Sequence, residues 1–402
     1  MSTDTQVVIV GGGPAGLLAG IALAGAGVAT VLVAPTPPAD ARTTALLASS
    51  VAALDALGVW TRCRDESAPL RMLRLVDDTG RLLRAPEVKF DAAELGLDAF
   101  GYNIANRHLV AALDAQARTL PNLTRHDLAA TAVTPSDDSV TVTTASGTTV
   151  TAQLAIGADG RHSLCRTAAR IGNVSRGSAQ VALALSFAHT RPHHDTSTEF
   201  HTAEGPFTTV PLPGLRSSLV WVVGPGNAKR LAALDEAELS AEIERRSHSI
   251  LGKTAVVPER GMFPLAIETA ETFGVHRVAL IGEAAHVIPP IGAQGLNLGF
   301  RDAAQIAELV IAAHRHDKDI GSDTLLARYD SLRRADVASR TLAVDLLNRS
   351  LLTDFLPVQG VRGLGLYALD RIGPLRRLVM REGIAPSAAE PALMRGAALT
   401  SD

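Results

Sequence analysis

Three glycine-bearing stretches hold the residue types from which a reaction site could be built. "GGGPAG" places Gly11, Gly13 and Gly16 at the GxGxxG spacing, with Ala15 inside it. At that spacing the first glycine permits a tight turn, the second lets backbone approach a pyrophosphate, and the third lets a helix lie close to a strand. The helix N-terminus then faces the anion. "GADGRHSLCR" sets Asp159 and Gly160 after an apolar run, with Ser163 and Arg166 one helical turn apart. "VALIGEAAHVIPPIGAQGLNLGFRDA" carries Glu283 after another apolar run, then a corner at Pro289, Pro290 and Gly292, then a glycine-flanked helix start at Gly295, Leu296 and Asn297. No Ser-His-Asp or paired-carboxylate constellation is evident. One element of the dinucleotide pattern is missing: the second strand ends in Ala34, where an acid for an adenosine ribose is expected, and the candidate stand-in is Asp40, at the far end of "APTPPAD".

The elements that must position these residues follow from periodicity. "VVIV" is a short β-rich run, Leu17 to Ala26 a helix and "VATVLVA" a second strand, which makes a βαβ unit around the first glycine motif. Beyond it, "TTALLASSVAALDALGVW" has helical periodicity, "RMLRLVDDTGRLL" reads as two strands about an Asp-Asp-Thr-Gly turn, and "NIANRHLVAALDAQARTL" reads as a helix. Short strands and polar turns then lead to the loop from Gly157 to Gly160. From Ser178 to Pro264 the chain is mostly β, with "VALALSFAH", "FTTVPLPG" and "SSLVWVVG" as strands and "LDEAELSAEIERRS" as a helix. Everything after Gly295 reads as helical, broken at Pro357, Gly360, Gly373 and Pro374. The reading is therefore α/β: a Rossmann-type domain, a β-rich second domain and C-terminal helices.

Composition bounds the function. A chain of 402 residues suits two packed domains. Its 38 basic and 41 acidic residues leave a net charge of -3, and without a basic tract nothing points to nucleic acid. Cys63 and Cys165 lie far apart and outside metal-ligand spacing, so a reduced, cytoplasmic setting is expected. The opening segment lacks the basic region of a secretory signal. His193, His194 and His201 lack a second set of ligands, so no metal is expected.

In order and spacing the three glycine-bearing stretches resemble the signatures of the FAD-dependent aromatic hydroxylases built on the p-hydroxybenzoate hydroxylase plan. "RTTALLASSVAALDALGVW", "GEAAHVIPPIGAQGLNLGFRDA" and the tail "LLNRSLLTDFLPVQGVRGLGLYALDRIGPLRRLVMREG" are similar to the ubiquinone-biosynthesis hydroxylases. The resemblance implies a discontinuous FAD-binding domain over residues 1–76, 97–180 and 270–315, a β-rich substrate domain over 77–96 and 181–269, and a C-terminal helical segment over 316–402. It implies FAD as cofactor, NADH or NADPH as electron source, and oxygen passed through a flavin C4a-hydroperoxide to the ring of a polyprenylated phenol.

By the same resemblance Asp159 binds the diphosphate side of FAD and Arg166 holds its loop by an ion pair. Arg42 and Arg107 match positions that contact the cofactor. Glu283 stands where the family usually has Asp, at the ribityl hydroxyls, and the helix starting near Gly295 turns its positive end to the pyrimidine edge, where reduced flavin is negative. Pro289, Pro290 and Gly292 line the ring pocket. Phe187, Phe207, Val210, Leu212, Trp221 and Phe263 are candidates for the substrate wall, and His286 is read as structural. Alternatives are a flavin-binding scaffold subunit of a biosynthetic complex, or an FAD monooxygenase acting on another small aromatic. The halogenases of this fold carry a "WxWxIP" segment that is absent here. The tail from Leu346 to Gly383 holds six arginines, three acids and no lysine among spaced apolar residues, a basic amphipathic pattern suited to a membrane surface or a membrane-bound ubiquinone-biosynthesis complex.

Overall fold

In the computed structural model, which describes residues 2–36, 40, 42–80, 86–290, 292–352, 365, 367, 371–384 and 390–399, the opening apolar run folds as the strand Ser2–Val10. It pairs in parallel with Thr30–Val33 on one side and Thr149–Gly157 on the other. Leu123–His126 extends the first flank and Val278–Leu280 the second, both in parallel. Val7, Val8 and Ile9 are fully buried, as expected of a parallel strand with both faces covered. The chain leaves Ser2–Val10 toward one side of the sheet and returns at Thr149–Gly157 on the other, so the order reverses between them. Open α/β sheets bind ligands at such a switch point, outside the carboxyl ends of the strands. Both "GGGPAG" and Ala158 to Gly160 emerge there.

Pro14–Gly25 is the crossing helix; Pro14 suits its first turn, where no backbone N–H is needed. Residues Ala15 through Ala24 are buried on every side of it, because Gln294–His314 and Asn106–Ala117 pack over it.

A second, mostly antiparallel sheet runs in the order His286–Val287, Thr254–Ala270, Asn173–His189, Arg216–Val223, Pro206–Leu212, Thr196–His201, Met72–Asp77, Val88–Asp91. Its outer face carries Phe187, Phe200, Phe207, Leu219 and Trp221 against the helices Pro225–Ala233 and Glu236–Arg246. Asp235 caps the second of these helices in a reciprocal capping box with Glu238. A small third sheet, Thr43–Leu47 with Gly101–Ala105 and Ser67–Pro69, stands between the two larger ones.

Two segments read as wholly helical turn out to begin as strands. "TTALL" pairs with Gly101–Ala105 before the helix Ala48–Ala56 starts, and "NIA" ends that partner strand before Asn106–Ala117. Each is too short for periodicity to resolve, and cross-strand pairing decides it. In "RMLRLVDDTGRLL" the first half is the strand Met72–Asp77, paired with Val88–Asp91, while residues 81–85 lie outside the described residues. After Gln294–His314 come the helices Asp323–Leu352 and Gly373–Ile384. Phe355, Pro357 and Gly360 lie outside the described residues. Among the described residues no helix is long and apolar enough to cross a membrane.

Candidate active site

A cavity of about 780 Å³ opens at the switch point and runs between the parallel sheet and the inner face of the second one. Gly13, Ala15, Gly16, Ala158, Gly160, Gly282, Glu283, Gly295 and Leu296 line its first end. The glycines there divide the work the fingerprint requires of them. A Cβ on Gly11, at φ +117°, would overlap the Ala158 carbonyl and stand 2.8 Å from Asp159 N. A Cβ on Gly16 would overlap the Gly11 carbonyl, whereas Gly13 has nothing within 4 Å of its Cβ position and leaves backbone open to a ligand. The helices Pro14–Gly25 and Gln294–His314 both start without a side-chain cap, so their first N–H groups and positive ends face the cavity unclaimed. Ala293, in left-handed backbone at φ 55°, turns the chain into the second helix. Two helix N-termini and an open glycine fit a diphosphate and a ring that becomes anionic on reduction. These residues fit FAD.

The expected cofactor residues part into three groups. Glu283, on the short turn Gly282–Ala284, is exposed into the cavity beside Gly282. Pro290 and Gly292 line the cavity, but Pro289 is buried behind them. Arg42 lines it too, bound to Asp40 at 2.9 Å and stacked 5.5 Å from the centre of the Phe263 ring. Burial opposes the charge of Asp40, yet hydrogen bonds from Arg42 and Asn106 outweigh it and hold the carboxyl below its ordinary range. Ala34 is buried, 2 % exposed, and packs toward Gly12.

Three others hold the protein rather than face the cavity. Asp159 accepts from Ser163 Oγ at 2.6 Å and from Cys165 N at 3.1 Å, so its carboxylate caps the short helix Leu164–Ala168. Arg166 donates to the carbonyls of Ala284, 2.8 Å, and Arg161, 2.8 Å, and so ties the second loop to the third; among the described residues it makes no ion pair, where one is expected. Asn297, 2 % exposed, accepts from Leu47 N (2.9 Å) and Ser50 Oγ (2.6 Å) and donates to Ala45 O (2.9 Å) and Ala293 O (2.6 Å). Its amide has no capacity left for a ligand, so Asn297 positions the helix start. Arg107 is exposed on Asn106–Ala117, donates to His108 at 3.2 Å and does not reach the cavity lining.

His286 does more than pack. Its Nε2 is 2.6 Å from Asp302 Oδ2, and Asp302, fully buried, also accepts from Gly282 N at 3.0 Å and Arg333 Nε at 2.7 Å. Burial would raise the Asp302 carboxyl, but the charges of His286 and Arg333 outweigh it and bring it below its ordinary range. The Gly282–Ala284 turn therefore hangs from a buried charge. His286 Nδ1 has no partner among the described residues, and the ring lines the cavity.

Behind it Asp336 joins Arg333 (2.7 Å), Arg301 (3.3 Å) and Arg340 (3.0 Å), and Arg340 reaches Gln294 Oε1 at the helix start (2.8 Å). Burial raises the Asp336 carboxyl, and these arginines overcome that and take it down to about 2. A depressed carboxyl stabilises the fold above its unfolded value and loses that contribution as pH falls through the folded one. Asp336 should thus contribute about 2 kcal/mol that disappears between about pH 4 and pH 2. Urea unfolding of Asp336→Asn and wild type across that window should show their difference shrinking; a gap constant with pH would place the effect elsewhere.

The substrate wall differs from its expectation. Phe187, Phe207 and Trp221 point away from the cavity into the outer core, Leu212 is buried off the lining, and Phe263 is 37 % exposed. Of that set only Val210 lines the cavity. Side chains alternate along a strand, so the aromatic positions and the cavity positions fall on opposite faces. The inner face presents Ser197, Glu199, His201, Thr208, Ser218 and Val220 instead. Leu73, Leu75, Phe90, Phe100 and Met380 complete an apolar wall around that polar strip. Among the described residues no His, Cys, Asp or Glu cluster is suited to a metal.

The family described as FAD binding domain matches residues 4–344. The chain is similar to ubiquinone hydroxylase UbiL of Rhodospirillum rubrum, 37% identical over 98% of this chain and 93% of that protein. It is also similar to 3-demethoxyubiquinol 3-hydroxylase of Escherichia coli, 32% identical over 94% of this chain and 97% of that protein. Of solved structures, p-nitrophenol 4-monooxygenase PnpA from Pseudomonas putida superimposes with a TM-score of 0.79 at 23% identity, covering 96% of this chain and 100% of that one.

Proposed function

This chain belongs to the FAD-binding-domain family, as an FAD-dependent aromatic monooxygenase, and from that premise we propose that it hydroxylates the ring of a polyprenylated phenol in ubiquinone biosynthesis. The observation that carries the reading is the cavity itself, with a polar strip for ring oxygens set in an apolar wall that suits a prenyl tail. FAD, when bound and reduced, would activate dioxygen for transfer of one oxygen atom to the ring. Gly11, Gly13 and Gly16 with the Pro14–Gly25 N-terminus hold the diphosphate, Glu283 holds the ribityl chain, and the Gln294–His314 N-terminus stabilises the anionic ring edge. The two sheets exclude water and fix the substrate ring against the flavin side. NADH or NADPH provides the electrons.

The substrate arrives from a membrane surface. The helix Gly373–Ile384 buries Met380 in the cavity wall and exposes Leu375, Leu378 and Val379 (37 %, 57 % and 43 %) beside Arg377 and Arg381. Val379 both lines the cavity and meets solvent, which supports entry past this basic, apolar helix. FAD-loaded protein given a short-chain prenylated phenol in anionic vesicles, oxygen and NADH or NADPH should release a product one oxygen atom heavier by mass spectrometry. It should also float with the vesicles, and Leu375→Glu with Leu378→Glu should abolish flotation while leaving bound FAD in place. Nucleotide oxidation without a hydroxylated product would overturn the substrate class, and equal flotation of the double variant would overturn docking through this helix.

A further inference from the structure

The inner face of the second sheet holds an acid–base pair, a buried histidine and a half-buried glutamate, that neither the FAD fit nor the glycine motifs use. Alternation along Thr196–His201 turns Ser197, Glu199 and His201 to the cavity. His201 is 3 % exposed and its Nε2 lies 2.8 Å from Glu199 Oε1, while Thr208 Oγ1 donates to Glu199 Oε2 at 3.2 Å. With Nε2–H given to the carboxylate, the ring's lone pair resides on Nδ1. The bond to Glu199 is the one hydrogen bond that the His201 ring makes among the described residues. Burying an imidazole and a carboxylate beside Leu73, Leu75 and Phe90 costs desolvation that folding alone does not require, a mark of functional sites.

Among the described residues the neighbouring charges have partners. From Met72–Asp77, Asp77 stands beside His201 in register and accepts from Thr79 Oγ1 at 2.6 Å, and Arg74 is paired with Glu87 at 2.6 Å. Pro206–Leu212 offers Thr208 and no titratable group. Asp78, whose N–H donates to the His201 carbonyl, is bound to His248 and Arg246. From the tail helix, Arg376 is held by Glu94 at 2.7 Å.

We propose that His201 is the catalytic residue that accepts the substrate's phenolic proton, with Glu199 as the residue that orients its ring and stabilises the resulting imidazolium. The assignment rests on the phenol reading above. The phenol O–H bond breaks with its electron pair left on oxygen, an N–H bond forms at Nδ1, and nothing is oxidised or reduced. The phenolate is the more electron-rich ring, and so the better acceptor of the activated oxygen atom. Glu199 accepts from Nε2–H throughout and offsets the charge on His201.

The test is the ionisation of a bound probe, 2-prenylphenol, followed by its phenolate absorbance as pH is raised in FAD-loaded, oxidised enzyme without turnover. Free phenols ionise near about pH 10. Wild type should ionise the bound probe at least tenfold more readily, a midpoint shifted down by a full pH unit or more. His201→Gln should return the midpoint to that of the free phenol and Glu199→Gln should move it part of the way, with FAD retention unchanged in both. A wild-type midpoint equal to that of the free probe overturns the proposal whether or not either variant folds, as does a lowered midpoint that survives in a FAD-loaded His201→Gln. If 2-prenylphenol fails to perturb the flavin spectrum of wild type at all, the substrate class falls and this assignment with it. Binding with an unmoved midpoint removes the His201 assignment alone.

Discussion

Gly11→Ala protein should be recovered without FAD and with reduced stability, whereas Gly13→Ala should fold as wild type and fail mainly at the cofactor. The two glycines are neighbours in one motif, but their surroundings differ. Alanine at position 11 must take φ +117°, a strained value for any side chain, and its Cβ overlaps the Ala158 carbonyl, which is backbone and cannot swing aside. Backbone strain and overpacking each cost about 1–3 kcal/mol, so a loss of roughly 2–6 kcal/mol is expected. The strand pair Ser2–Val10 and Thr149–Gly157 would be forced apart where the two loops emerge. At position 13 the added methyl meets nothing within 4 Å, so its cost appears only when a diphosphate seeks the same space. FAD should then bind about tenfold more weakly or worse, roughly 1.4 kcal/mol or more. Urea midpoints and flavin fluorescence titrations separate the two effects. Equal stability of Gly11→Ala and wild type, or unchanged FAD affinity in Gly13→Ala, would contradict the division of roles.

The second large effect is expected at Asp302, which sequence reading passed over inside a helix. Asp302→Asn should destabilise the protein by about 3–5 kcal/mol, because it leaves His286 buried without its carboxylate and the buried Arg333 with Asp336 as its one remaining ion-pair partner among the described residues. It should also weaken FAD binding, since Asp302 holds Gly282 N and with it the turn bearing Glu283. Adding Arg333→Met should recover part of the stability by removing a buried cation that has lost one of its two carboxylates, while Asp336 keeps Arg301 and Arg340, a result that simple loss of packing does not produce. A denaturation midpoint for Asp302→Asn within error of wild type would show that the buried network contributes little.

The FAD-binding end was legible in sequence because its determinants are local. "GGGPAG" follows an apolar run and precedes a helix, and each glycine's function depends on backbone within a few residues or on a neighbouring loop that the second signature also marks. The same locality made Glu283, Gly295 and Leu296 readable, and the structure brings all three to the cavity. Asn297 stood in the same run, yet its amide is consumed by Ala45, Leu47 and Ser50, some 250 residues away in sequence, a partnership no spacing rule reveals. Asp159 is similar: the motif marks it correctly as special, but its carboxylate serves Ser163 and Cys165.

On the substrate side the residue types alone pointed the wrong way. Phe187, Phe207 and Trp221 are the large apolar residues of the middle strands, and period two puts them on one face and the polar residues on the other. Alternation cannot say which face meets the cavity. Two amphipathic helices, Pro225–Ala233 and Glu236–Arg246, cover the aromatic side, and so the polar side with Glu199 and His201 is left to the cavity. The strand "TSTEFH" is polar enough to read as loop, and becomes a strand only by pairing with Met72–Asp77 and Pro206–Leu212. By itself the sequence determined the family, the fold and the glycine-bearing stretches that meet at the switch point, where backbone geometry follows from adjacent residues. Tertiary packing decided the face of the sheet, the partners of Asp302 and Asn297 and the acid–base pair in the wall, because each depends on surfaces brought together from distant parts of the chain.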